Sequence, residues 1–141
     1  VAAFNKFNQF VADVANKIHN LGTDALKILL TNTAPVPTNA VKADVTEITA
    51  GNGYTAGGAA APVASSTQTG GLYKLIPTGT GLVTWTGTGT FGPFRYAVLY
   101  NSTPAAGNLV GWWDYGSAIS VNNGDTFTVD LDEINGILQL Q

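Results

Sequence analysis

The chain has 141 residues, enough for one domain with a core of its own. It has no cysteine, which excludes disulfides, thiolate catalysis and cysteine-ligated zinc. Its net charge of −3 leaves no basic excess for gripping phosphates, so nucleic acid is not an expected partner.

Apolar residues open the chain at Phe4, Phe7, Phe10, Val11, Val14, Ile18 and Leu21. Steps of three and four make a helical stripe. The interspersed Asn residues are poor helix formers and favour an extended arm over a neighbour. Residues 1–22 are therefore read as an N-terminal helix or arm, ahead of a single domain at 23–141. Polar residues interrupt this start every few positions, so it does not read as a secretory signal. Nor does any apolar run approach the ~20 residues that span a bilayer. A chain outside the secretory route, with no membrane partner, is expected.

"ALKILLTN" (25–32) is apolar on both faces and runs into "TAPVPT", a pattern of a buried strand ending in a Pro-rich loop. "AVKADVTEI" is a short helix or a loop. "TAGNGYTAGGAAAPVASS" reads as loop with room for one short strand. "GLYKLIP" and "GLVTWTG" follow as strands, and "TGTFGP" as a break. Then come "FRYAVLYN", "LVGWWDYG", "SAISVNNG", "DTFTVDLD" and "GILQLQ". Short strands about ten residues apart, with Gly, Pro and Asn between them, predict an all-β antiparallel sandwich or barrel.

Alternation along a strand assigns faces. It places Phe94, Tyr96, Val98 and Tyr100 together, opposite Arg95, Ala97, Leu99 and Asn101. It places Leu109, Gly111, Trp113 and Tyr115 together, opposite Val110, Trp112 and Asp114. The two tryptophans then point apart, one into the core and one toward solvent or a partner. The loop between the two runs suits antiparallel neighbours, which offers Asp114 as an ion-pair partner for Arg95, the sole arginine; a carboxylate of a neighbouring subunit is the other candidate.

Chemistry-bearing patterns are sparse. His19 is the one histidine, with neither a nucleophile elbow nor a cysteine to serve; it reads as a polar residue near a turn. The acidic group "DLDE" sets Asp130 and Asp132 on one strand face, where they either hold Ca²⁺ with loop carbonyls or simply end a solvated strand. The clustered glycines of "GNGYTAGG" and "TGTGLVT" lack the lysine of a phosphate loop and read as turns. No catalytic, cofactor or metal site is expected, and the chain reads as a non-enzyme.

Charged residues are 11% of the chain, where an ordinary soluble domain has about 25%. A 45% hydrophobic fraction rules out disorder. A free monomer with so few charges has little to keep its copies apart. The expectation is a surface largely covered by neighbours, the plainer alternative being a solvated Thr/Asn/Ser-rich surface.

The segments "FNKFNQFV", "HNLGTDALKILLTNTAP", "ADVTEITAGNGYTAGG", "GPFRYAVLYN", "LVGWWDYGS" and "NNGDTFTVD" resemble small tailed-phage virion proteins. Within that group they are similar to the capsid cement (decoration) proteins of podovirus-type phages such as those of Bordetella. The likeness covers most of the chain and is strongest over 92–130. It implies a jelly-roll β-sandwich on the outer surface of an icosahedral head. It further implies a homodimer that bridges major capsid proteins to stabilise the shell, assembled in the cytoplasm of the host bacterium. On that reading Phe4, Phe7 and Phe10 anchor an arm to a neighbour, or else pack on their own sandwich. The outward one of Trp112 and Trp113 is a further interface candidate. The alternative is a tail or fibre module that binds host-surface glycans through the same aromatics. A glycan-cleaving enzyme is the least supported reading, for want of a carboxylate pair.

Overall fold

A computed structural model describes residues 2–141, with the side chains of 64–66 outside the description. In chain order the elements are β1 (Asn5–Lys6), α1 (Gln9–Ala15), β2 (Leu26–Thr31), a 3-10 turn (Lys42–Asp44), β3 (Ala59–Ala60) and β4 (Val63–Thr69). There follow β5 (Leu72–Pro77), β6 (Leu82–Thr86), β7 (Phe91–Asn101), β8 (Leu109–Val121), β9 (Thr126–Asp130) and β10 (Leu138–Leu140). All pairings are antiparallel.

One layer is a five-stranded sheet in the order β1-β8-β7-β2-β3. Two smaller sheets, β10-β5-β4 and β6-β9, face it. The main core lies between them: Leu26, Ile28 and Leu30 of β2 meet Leu75 of β5, Val83 and Trp85 of β6, and Leu131, Ile137 and Leu138. Period-two alternation makes this possible. In β6 the buried residues are Val83 and Trp85, while Leu82, Thr84 and Thr86 are exposed. Each fully buried large apolar side chain contributes about 1.5–3 kcal/mol. The fold is thus all-β, antiparallel and sandwich-like, as the strand pattern predicts.

The outer face of the five-stranded sheet is covered as well. Phe7, Leu29, Val98, Tyr100 and Leu109 form a second, smaller core there, flanked by Val45 and Trp112. This explains why β2 is apolar on both faces: Leu29 serves the second core while its neighbours serve the first. Near β2 the backbone also comes too close for any side chain at Gly58. Its φ is +89° at Gly57 and +76° at Gly58, and a β-carbon on Gly58 would collide with the Ile28 carbonyl.

Three expectations are corrected. The helical stripe from Phe4 to Leu21 is helix only over Gln9–Ala15. Ahead of it the chain is extended, because Asn5 and Lys6 pair with Trp112 and Gly111 of β8. The break at "TGTFGP" lies partly inside β7, which begins at Phe91. The faces of β7 and β8 also depart from strict alternation. Register shifts at Phe91/Phe94, Phe94/Tyr96 and Leu99/Tyr100 turn Phe94 to the main core with Ala97 and Leu99. The last shift leaves Leu109 on the outer face beside Trp112, and Val110 on the inner face with Trp113.

Candidate functional site

Between the pairs Phe94–Ile119 and Tyr96–Asp114, one residue of β7, Arg95, faces four of β8, 115–118. The surplus is a bulge whose residues 115–118 are all exposed. Asp114 fixes it. Its Oδ1 accepts the N–H of Gly116 at 2.8 Å, and Gly116 has φ +99°, a conformation that suits glycine. The same carboxylate holds Arg95 in a two-pronged pair, Nε to Oδ1 at 2.8 Å and Nη2 to Oδ2 at 2.9 Å. The Arg95 hydrogen bond keeps the Asp114 carboxyl below the usual range and the guanidinium above its own. The guanidinium also lies 5.4 Å from the Tyr96 ring centre. The cross-strand ion pair, one of the two partners that the sequence offers Arg95, is therefore formed.

The bulge delivers Tyr115 to the edge of an aromatic groove of about 460 Å³. Its floor is the inner face of β7 and β8, at Phe94, Ala97, Trp113 and Tyr115. One wall is β9 and the turn after it, from Phe127 to Asp132. Ala2 and Phe4 of the N-terminal segment, with Gly136 and Ile137, complete the lining. The rings form two groups. Phe4 stands 5.3 Å from Trp113; Phe127 meets Phe94 edge-on at 4.8 Å and Tyr115 edge-on at 5.7 Å. Trp113, Phe4 and Phe127 are half-buried, and Tyr115 is 57% exposed.

The five candidate contact residues separate accordingly. Phe7 and Phe10 are 0% and 1% exposed, so as folded they are core side chains of this chain rather than free anchors. Phe4 lines the groove. Trp112 and Trp113 point apart as alternation requires: Trp113 faces the groove, and Trp112 packs on Phe7 at 4.5 Å on the opposite face. Sequence reasoning missed Phe127 and the free edge of β9. The alternation in "TFTVD" was the available signal for Phe127, since it shares a face with Val129.

Two further polar clusters, the first half-buried and the second buried, lie elsewhere. Glu47 Oε1 accepts the Tyr54 hydroxyl at 2.7 Å and the Gly57 N–H at 2.5 Å, and its Oε2 accepts Lys42 Nζ at 3.1 Å. The Tyr54 oxygen in turn accepts the Leu30 N–H at 3.0 Å, and burial drives its ionisation far upward. In the second cluster Asp13 of α1, His19 and Asn101 are buried. Asn108 and Gln9 donate to Asp13 at 2.8 and 3.0 Å, and Asn101 donates to Asp24 at 2.5 Å. His19 sits just ahead of the turn at 21–23, as the sequence suggests, and is buried there.

Among the described residues no group of three or more His, Cys, Asp or Glu is placed to hold a metal ion. Asp132 instead accepts the N–H groups of Ile134 and Asn135 at 2.8 and 2.7 Å, closing a turn. Among them, too, no helix is long and apolar enough to cross a membrane. Comparison with protein-family models, curated proteins and solved structures gives no match for the chain.

Proposed function

We propose that this chain is a structural virion protein of the cement type. It binds the outer surface of an icosahedral phage head as a dimer and bridges major capsid proteins. The observation that carries the reading is the open aromatic groove at Trp113, in a chain with few charges. Half-exposed rings gathered in one hollow mark a place where another molecule sits. The sequence likeness to phage cement proteins supplies the identity of that molecule. Among the described residues no set supplies a nucleophile with its base, which favours a binding role over a catalytic one.

The mechanism is multivalent stapling. Packaged DNA pushes capsid subunits apart, and a protein bound across a joint must let go before the joint opens. Many modest contacts per particle add through effective concentration. Such contacts, apolar and hydrogen-bonded, depend little on salt, because screening acts on charges. Copy number per purified particle, by quantitative mass spectrometry against the major capsid protein, tests the proposal. Hundreds of copies in a simple ratio support it. A dozen or fewer overturn it.

A second reading has one observation in its favour. Trp113 and Tyr115 share the groove with Asp130, a pairing of rings with a polar group that suits a sugar. A glycan-binding tail module follows from it. Direct binding to host-surface oligosaccharides, together with low copy number, distinguishes it from cementing.

A further inference from the structure

The groove has a wall that sheet formation has left unfinished. β9 pairs only with β6, in the register Val83 to Val129 and Trp85 to Phe127. The Leu131 N–H reaches the Gly81 carbonyl at 3.1 Å and the Gly87 N–H reaches that of Asp125 at 2.9 Å. Hydrogen-bonded pairs alternate in an antiparallel ladder, so Val129 and Phe127 also bond toward β6. Thr126, Thr128 and Asp130 therefore turn their N–H and C=O groups to the other edge, where no strand lies among the described residues. Thr128 spends its hydroxyl on Thr84 at 2.9 Å, which leaves its main chain to border the groove.

We infer that the groove receives one extended strand from a partner protein, added to the free edge of β9, and that this strand alternates apolar residues with others and carries Lys or Arg. This deepens the docking role proposed above and rests on it. A strand laid along β9 would satisfy the outward main-chain groups and set every second side chain on Trp113 and Tyr115. Five residues cover the length of β9, about 17 Å. The charge of the partner follows from what is left unspent. Asp130 and Asp132 border the groove, Asp132 with its carboxylate also closing its own turn, while Arg95, the one cation of the lining among the described residues, is already held by Asp114. A second copy of this chain, itself at −3, is the poorer match.

The test is amide-resolved NMR of the full chain titrated with three probe peptides. The first is acetyl-Lys-Val-Thr-Val-Thr-Val-Lys-amide; the second carries N-methyl groups on alternate amides; the third has Glu in place of Lys. The expected result is perturbation of Thr126, Thr128 and Asp130 amides and of the Trp113 indole by the first peptide. The other two should bind at least about tenfold more weakly. Thr128→Pro should abolish binding while leaving the melting temperature nearly unchanged, since proline is tolerated on an edge. If that variant fails to fold, Asp130→Lys reads the same contact by reversing the preference between Lys and Glu peptides. Unmoved β9 amides at millimolar peptide, or equal binding of the N-methylated probe, overturn the inference. So does perturbation of Trp113 by a glucose oligosaccharide with no response to any peptide. Copy number on the particle is independent of all three titrations, so failure of the shell reading and failure of strand addition are told apart.

Discussion

The ring of Phe4 lies over Gly111, where a β-carbon would have to stand. The contact exists because β1 runs antiparallel to β8 with Lys6 opposite Gly111, leaving Phe4 to cross the bare backbone and reach Trp113. The Asn5 carbonyl oxygen is also close, at 2.6 Å from that same β-carbon position. Gly111→Ala should therefore lift the N-terminal segment off β8 and cost about 1–3 kcal/mol, the range for forcing a group into a filled site. Chemical denaturation measures the loss, and a shift in Trp113 fluorescence locates it. Unchanged stability and fluorescence would mean that Phe4 does not hold this position in solution.

Phe10 separates a free arm from a structural one. It is buried with Leu21 and Val14 in the main core, and its ring is 5.2 Å from His19. Phe10→Ala should cost about 3–5 kcal/mol. Deleting residues through Phe10 should abolish cooperative unfolding, because Phe7 leaves the second core at the same time. Circular dichroism melts of both variants check this. A truncated chain that still melts cooperatively near the full-length temperature would restore the free arm.

The strands were legible because their alternation is strong, as Val83 and Trp85 in β6 show, and because Gly, Pro and Asn punctuate them. The opposition of Trp112 and Trp113 was legible for the same reason. What alternation could not reveal was where it stops. The Arg95–Asp114 pair was within reach of the sequence, but the same carboxylate's bond to the Gly116 N–H and the four extra residues of β8 at 115–118 were not, since nothing in the alternation marks them. The register shifts that move Phe94 and Leu109 to opposite faces are equally non-local. The groove depends on both features, and so its floor was only half visible: Trp113 and Tyr115 were placed together, while Phe94 and Phe127 were not joined to them. The extended start of the chain was hidden behind a helical period, since Phe4 and Phe7 serve opposite faces of a sheet although their spacing suits one face of a helix.

Tyr54 stands in for a strand. β3 pairs with β2 only at Lys27 and Ile28, and beyond it the Leu30 N–H is taken by the Tyr54 hydroxyl at 3.0 Å. That hydroxyl donates onward to Glu47 at 2.7 Å. Tyr54→Phe leaves a buried main-chain donor unsatisfied and removes one of the donors to Glu47. The expected cost is about 1–3 kcal/mol in urea unfolding. Hydrogen exchange at Leu30 should accelerate more than at Ile28. Equal acceleration at both amides would show a general loss of stability in place of a local one.

His19 makes stability sensitive to mild acid. The Asn101 carbonyl oxygen accepts the Thr103 N–H at 3.0 Å, which fixes the amide so that its nitrogen faces His19 Nδ1 at 3.1 Å. Nδ1 must therefore accept, and the proton sits on Nε2, 3.8 Å from Asp13 Oδ2. A second proton would go to Nδ1 and set two donors against each other. Burial is the largest influence on the ring and lowers its pKa below the ordinary 6.5, with Asp13 and then Asp24 opposing it. A lowered folded-state pKa means that the unfolded chain takes up the proton first as pH falls. The stabilisation is then complete above pH 6.5 and is lost as pH drops through the folded-state value. The melting temperature should decline from about pH 7 toward 5, before carboxylate titration dominates. His19→Gln should flatten that part of the profile while lowering the curve as a whole. A wild-type profile flat over this window, or one that rises toward acid, would mean that Asp13 and Asp24 outweigh burial at this ring.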